Sequence, residues 1–562
     1  MKKHLISVCL GVLLGPAAFA QNLGVDYFLT GQLDKAKEIF ESRLDEDPAE
    51  SNYYLGEIAY ARGDTVQARS YYEKGLAANP EYPLNKVGLA KFLLKADQKI
   101  GIKALTDISK EKESKKNVEV LIAIAKVYYD AGIPAMYEKA LSSAEKAGKN
   151  SPLVPMLRGD ILKSKDNVGG AAGEYEQAIN LNANYLVPYI KAAQIYADIN
   201  PSFAIERLAT VIEIDSTYPL TNRYLARAFY NVGHYARAIA IHEKSFNINV
   251  SSVGELTDYA AALFFSQRYD EAATLIDKGL QRDALNFVLN RLRMYSALET
   301  QDYAGGLPIA EKFFSLPLEN NKYIPRDYTT YGDFLAFNKM VDKSAEQYAK
   351  AIEASPEKLE LYKKIGDQLN KAGYPGVGAD YYNMHIEGMD GQADTKDYYT
   401  MGTYLYKAAT TIMRDTTVDS LYAANKANEY LVKADTTFGV ITARIPDNTL
   451  GFLYRSRVNA SLDPETSKGL AKPHYEALLN LILSKENPEQ TYRRELLEIY
   501  QYLSYYYYLQ FDTDGKDEDK AQVLAYCNKI LEINPNNAIA KQLVEHIEAL
   551  SAAPETGKAK KK

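Results

Sequence analysis

Three groups of residues in this 562-residue chain have types suited to chemistry: the histidines, one acidic loop and the tyrosines. His234, His242, His385, His474 and His546 lie scattered, without Cys or Glu partners at the spacing a metal ion needs. The acidic stretch DTDGKDEDK, starting at Asp512, matches a calcium loop in composition only. A calcium loop places Gly sixth with acceptors first, third and fifth, whereas here Gly515 is fourth and Lys516 fifth. A solvated turn between helices is the better reading. No Gly-rich phosphate loop follows a strand, because no convincing strand is present. Neither a catalytic constellation nor a cofactor or metal site emerges, so the chain reads as a non-enzyme. There remain 46 tyrosines, six of them in LEIYQYLSYYYYLQF (497–511). At about 100° per residue the four consecutive ones, Tyr505 to Tyr508, must spread around a helix. They cannot all serve one surface.

The elements that carry these residues follow a 34-residue period. In AESNYYLGEIAYARGDTVQARSYYEKGLAANPEY (49–82), Leu55, Gly56, Ala59, Gly63, Ala68, Tyr72, Gly75, Leu76 and Pro80 fall in a fixed register. Gly56 and Ala68 are small where two antiparallel helices cross, Leu55, Tyr72 and Leu76 fill the gap, and Pro80 ends the second helix. The register recurs at Gly159, Ala171 and Tyr175, at Ala226, Ala238 and His242, at Ala260 and Ala272, and at Gly332, Ser344 and Tyr348. His242 stands where Tyr72 stands, which marks it as a packing residue. The repeat near Lys95–Lys116 is degenerate, with no small residue expected in its second helix.

This spacing resembles that of the tetratricopeptide repeat (TPR) family. The resemblance implies an all-α fold, a TPR solenoid in which about 13–14 antiparallel helix pairs form a right-handed superhelix, with longer C-terminal helices and a cap helix. The expected organisation is a signal peptide over 1–20, an N-terminal and central array over 21–393, a longer-helix array with its cap over 394–550, and a disordered basic tail over 551–562. Two connectors, 315–327 and 387–396, are expected to flex.

In such an array the first helix of each pair lines a concave groove. The register then assigns Tyr189, Tyr196, Arg223, Arg227, Tyr230, Arg291 and Tyr295 to a partner-binding wall. Guanidinium groups grip carboxylates bidentately and tyrosines add contact area at low entropic cost, so a carboxylate-bearing segment or chain terminus is the expected ligand.

The first residues bear on location. Lys2 and Lys3, the apolar LISVCLGVLLGPAA and the small-x-small AFA read as a signal peptide cleaved after Ala20. Its removal takes the net charge from −7 to about −9 and leaves a single cysteine, Cys527, so no internal disulfide can form. An acidic chain argues against a nucleic-acid partner, and no later stretch is long and apolar enough to span a bilayer. Resemblance to exported TPR proteins implies a periplasmic scaffold or adaptor for envelope proteins, in secretion, outer-membrane assembly or TonB-type energy transduction. The alternative is glycan or peptidoglycan binding through a tyrosine-lined groove.

Overall fold

The computed structural model describes residues 22–552, apart from Val250 and Glu319. The expected signal peptide, its cleavage point and residues 553–562 of the tail lie outside the described residues. The described residues form 30 helices, from Leu23–Leu29 to Ala538–Ala552, in sequential antiparallel pairs. Contacts group them into two compact units, Met1–Leu289 and Asn290–Lys562.

Local sequence sets each pair. Asp47 caps the Pro48–Ala61 helix by accepting from the Glu50 N–H, Pro48 supplies the preformed first turn, and Asp64 caps Thr65–Ala78 through Gln67 N–H. Between the two helices Gly63 turns the chain at φ +81°, in the left-handed region. Within a pair, one aromatic ring fills the crossing. The Tyr72 side chain is wholly buried, and its ring lies so close to Gly56 that a Cβ there would enter it. The same ring lies 2.5 Å from where a Cβ on Gly88, in the next pair, would sit. Tyr175 stands in the same relation to Gly159, and Tyr348 to Gly332, each at 2.5 Å.

First helices of successive pairs also touch one another, from Leu23–Leu29 through Leu153–Ser164 and again from Val187–Ile199 to Val253–Phe265. They form the inner row of the first unit. In the second unit the helices lengthen to 20 and 25 residues at Thr395–Arg414 and Ser420–Arg444. No described helix is long and apolar enough to cross a membrane.

Three expectations change. The degenerate repeat keeps a small residue after all: Gly101 lies directly against the Leu94 backbone, one residue earlier than the 34-residue register places it. The connector over 315–327 is anchored, with the Tyr323 ring 4.5 Å from Phe314 and Asp327 fully buried. The connector over 387–396 is held by Arg444, which donates to the Ala393 carbonyl at 2.7 Å and the Gly391 carbonyl at 3.3 Å. The tyrosine run spreads as helical geometry requires. Tyr505 is exposed, Tyr506 packs on Gly469, Tyr507 donates to Glu476 at 3.1 Å and Tyr508 meets His546 at 5.9 Å. Leu496, Ile499 and Leu503 form the buried stripe.

If ring-on-glycine packing sets the crossing, Gly56→Ala should cost about 2–3 kcal/mol in denaturant unfolding, because overpacking displaces the Tyr72 ring. Gly173, also helical but with no atom within 4 Å of its Cβ position, provides the contrast. Gly173→Ala should leave stability unchanged or raise it by up to about 1 kcal/mol.

Candidate functional site

The buried tyrosines carry hydroxyls that need partners, and in four pairs the structure supplies them by one rule. In these pairs the tyrosine donates to a carboxylate fifteen residues earlier, on the inner row directly after the packing glycine. Tyr72 donates to Glu57 at 2.8 Å, Tyr175 to Asp160 at 2.7 Å, Tyr348 to Asp333 at 2.7 Å and Tyr382 to Asp367 at 2.8 Å. The carboxylate then takes a second donor from the following pair. Lys91 reaches Glu57 at 2.5 and 2.7 Å, Lys191 reaches Asp160 at 2.6 Å, Gln368 reaches Asp333 at 3.3 Å and Tyr404 reaches Asp367 at 2.7 Å. One acidic group thus ties the two helices of its own pair and the next pair together.

Electrostatics follows from this arrangement. Burial and the neighbouring anion push the Tyr72, Tyr175 and Tyr348 hydroxyls far above the usual phenol range, so they remain donors. Asp333, buried and facing neutral donors, is pushed up to about 7 by desolvation, only partly opposed by its bonds from Tyr348 and Gln368.

The expected wall residues divide into two groups. In the second unit, Arg291 grips Asp327 with two bonds of 2.9 Å, and Tyr295 donates to the same carboxylate at 2.7 Å. Asp327 is fully buried and needs that counter-charge, so both side chains serve the fold. Tyr189 is also buried, its hydroxyl donating to the Ala183 carbonyl at 3.2 Å. The structure brings Tyr196, Arg223, Arg227 and Tyr230 onto the inner row of the first unit, on the helices Val187–Ile199 and Pro219–Asn231.

These two helices and the next inner helix, Val253–Phe265, share a property that sequence reading missed. Where the four tied pairs have the acid and the tyrosine, these three have Ala193 and Leu208, Arg227 and His242, and Ala261 and Ile276; the first pair, with Val25 and Phe40, and the pair after Tyr82, with Ala90 and Leu105, lack the tie as well. The tie is absent from three consecutive pairs. His242 is buried against Tyr259 at 4.7 Å, and desolvation lowers it to about 4, so it packs as a neutral ring. The signal was available at the fifteen-residue offset.

Freed from the tie, the inner face there carries a different set of groups. Arg227 pairs with Asp198 at 3.2 Å with both side chains largely exposed. Tyr230, Tyr235 and Phe265 form a ring cluster with centroids 5.3 to 5.8 Å apart, and Phe265 is exposed. Asp258 lies near Arg223 and Arg227 and is raised above the usual carboxylate range by desolvation. The face therefore mixes cations, anions and aromatic rings, where sequence reading expected a wall of guanidinium groups and tyrosines without the anions. Opposite it stands the first helix pair, Leu23–Leu29 and Leu33–Ser42: Arg223 donates to Gln32 at 3.3 Å, and Gln194 to the Thr30 carbonyl at 3.1 Å.

The chain folds as an all-α array of tetratricopeptide-type helix pairs. No protein-family model and no curated protein matches it. Among solved structures, it is similar to the C-terminal part of a TPR repeat-containing protein from Cytophaga hutchinsonii. That match has 26% identity and a TM-score of 0.37, covering 51% of this chain and 99% of the other. A tetratricopeptide repeat protein from Parabacteroides merdae matches at 17% identity and a TM-score of 0.33, covering 45% and 98%. The Cut9–Hcn1 hetero-tetramer of the APC/C matches at 13% identity and a TM-score of 0.30, covering 93% and 95%. At such TM-scores the likeness adds nothing to the fold, which rests on the packing within and between pairs. Among the described residues, no three of His, Cys, Asp and Glu are grouped to hold a metal ion.

Asp333 sets a pH test. Its folded-state proton affinity exceeds that of the unfolded chain, so its stabilising effect is complete below about pH 4 and is lost as pH rises through about 7. Asp333→Asn should flatten that fall in urea-unfolding midpoint between pH 5 and pH 8. The difference between wild type and variant should reach on the order of 2–4 kcal/mol across the range.

Proposed function

We propose that this protein is a non-enzymatic scaffold of the periplasm, exported by cleavage after Ala20, that holds a protein partner on the inner face between Val187 and Phe265. The observation behind this reading is the exposed set of paired charges and aromatic rings on three consecutive inner helices, none of which carries the carboxylate–tyrosine tie. In the four tied pairs the inner carboxylates and the tyrosines are consumed in holding pairs together. In this segment Arg227, Asp198, Tyr230 and Phe265 lie at the surface with the exposed Ile199 beside them. Exposed aromatic rings bordered by paired charges are the composition of a protein–protein contact centre and its rim. The partner that fits is a segment with an apolar side chain for the Tyr230, Tyr235 and Phe265 cluster and charges of both signs around it.

The setting is a cell-envelope complex, with secretion, outer-membrane assembly and TonB-type energy transduction as the processes that the sequence resemblance implies. The glycan alternative has fewer faces to stand on, since the groove tyrosines Tyr189 and Tyr295 are buried with their hydroxyls on the Ala183 carbonyl and Asp327, which leaves Tyr196 and Tyr230.

The test is affinity capture from envelope extract by wild type and by the triple variant Arg227→Ala, Tyr230→Ala, Phe265→Ala. All three side chains are partly or largely exposed, so the variant should keep the helical content and melting profile of wild type. A partner held at this face should fall at least tenfold in the variant and should co-elute with the wild type on size exclusion. The same proteins captured in equal amounts by both would remove this face as the site.

A further inference from the structure

The same inner face already has an occupant, the first helix pair of its own chain. Four polar bridges cross between segments far apart in sequence. Tyr218 donates to the Asp26 carboxylate at 2.9 Å, and Gln194, which also donates to the Tyr224 hydroxyl of its own wall at 2.7 Å, donates to the Thr30 carbonyl at 3.1 Å. Arg223 donates to Gln32 at 3.3 Å, and Lys35 faces Glu255 at 3.7 Å. The apolar part is small, with Leu29 packed against the cluster of Met156, Ala178 and Val187.

We infer that the first helix pair and the inner face between Val187 and Phe265 form a clasp, which closes the first unit over its own groove and opens when Asp26 ionises. Two features make the contact releasable. It is built mainly from side-chain bridges, and it leaves the Gln32 amide nitrogen buried without a partner, which weakens the closed state. In contrast, the first pair is firmly joined to the array beside it, where Phe40 is fully buried and stacks on Tyr54 at 4.7 Å. Opening therefore separates the first pair from the far wall and leaves it attached to its neighbour.

Asp26 is the sensitive element. It is buried, and the titratable groups facing it are the Tyr218 and Tyr185 hydroxyls from the far wall, with Tyr27 of its own helix acting on Tyr218 and Glu119 and Asp160 acting on Tyr185 from beyond. Among the described residues no cation pairs with it; the charged groups elsewhere in the contact are Arg223, bonded to Gln32, and Lys35, facing Glu255. Desolvation pushes the Asp26 carboxyl up to about 6, opposed in part by the bond from Tyr218. The closed form therefore holds this proton more tightly than the open form. Closure is strongest below about pH 4 and weakens as pH rises through about 6. The consequence for partner entry rests on the function proposed above, whereas the opening itself does not.

Amide hydrogen exchange on the full chain tests the clasp. Protection of the Asp26–Thr30 and Tyr218–Tyr224 amides is measured relative to the Val118–Asp130 helix, with intrinsic rates removed. Both segments should lose about tenfold in relative protection between pH 5 and pH 8, as the proton linkage requires. Asp26→Asn should abolish this pH dependence, and Tyr218→Phe should move it to higher pH. No change in wild type, a change on one side only, or a wild-type response in Asp26→Asn would overturn the proposal. If Asp26→Asn does not fold, the direction of the Tyr218→Phe shift decides. An intact pH response together with failed partner capture would strike the partner reading alone.

Discussion

Four of the helix pairs depend on one constraint: a tyrosine ring large enough to fill the gap between two crossing helices brings a hydroxyl into a place without water. That hydroxyl must be bonded, and a carboxylate fifteen residues earlier takes it. The carboxylate, half-buried in turn, needs a second donor, and the following pair provides a lysine, a glutamine or another tyrosine. Filling space within one pair thereby creates an electrostatic demand that only the next pair can meet. Stability in such an array is a sum of pair and nearest-neighbour terms, and the tie contributes to both.

Where the tie is missing, different chemistry is available. Alanine, arginine and histidine replace the acid and tyrosine in the three pairs between Val187 and Arg282, and apolar packing by Leu208, Ile276 and the neutral His242 ring takes over the core. The inner face is then free to carry charges of both signs and exposed rings. That freedom is visible in the first helix pair, which reaches across to this segment. A surface that already accommodates a helix pair through polar bridges has the composition and the accessibility to accommodate a partner.

Much of the fold was legible in the sequence because its rule is local. Gly56 with Ala68 and Tyr72, Gly159 with Ala171 and Tyr175, and Gly332 with Ser344 and Tyr348 repeat one spacing, and each spacing encodes one crossing. The tie was equally legible, since an acid follows each of these glycines, but it emerges only once the hydroxyl's need for a partner is followed. Arg291 and Tyr295 looked like groove residues because their register is right. Their commitment to Asp327, 36 and 32 residues later, depends on a connector that composition alone marked as mobile. Bridges such as Tyr218 to Asp26, separated by 192 positions, depend on the accumulated turn of many pairs. No local pattern encodes that.

Coupling between neighbouring pairs through the shared carboxylate is the central claim, and a double-mutant cycle on Glu57 and Lys91 measures it most directly. Both side chains are at most 16% exposed, and they belong to successive pairs. Unfolding of wild type, Glu57→Gln, Lys91→Met and the double variant should yield an interaction energy of about 1–3 kcal/mol that persists in 0.5 M salt. Additivity within about 0.3 kcal/mol would mean that the pairs stack without this tie, contradicting the account.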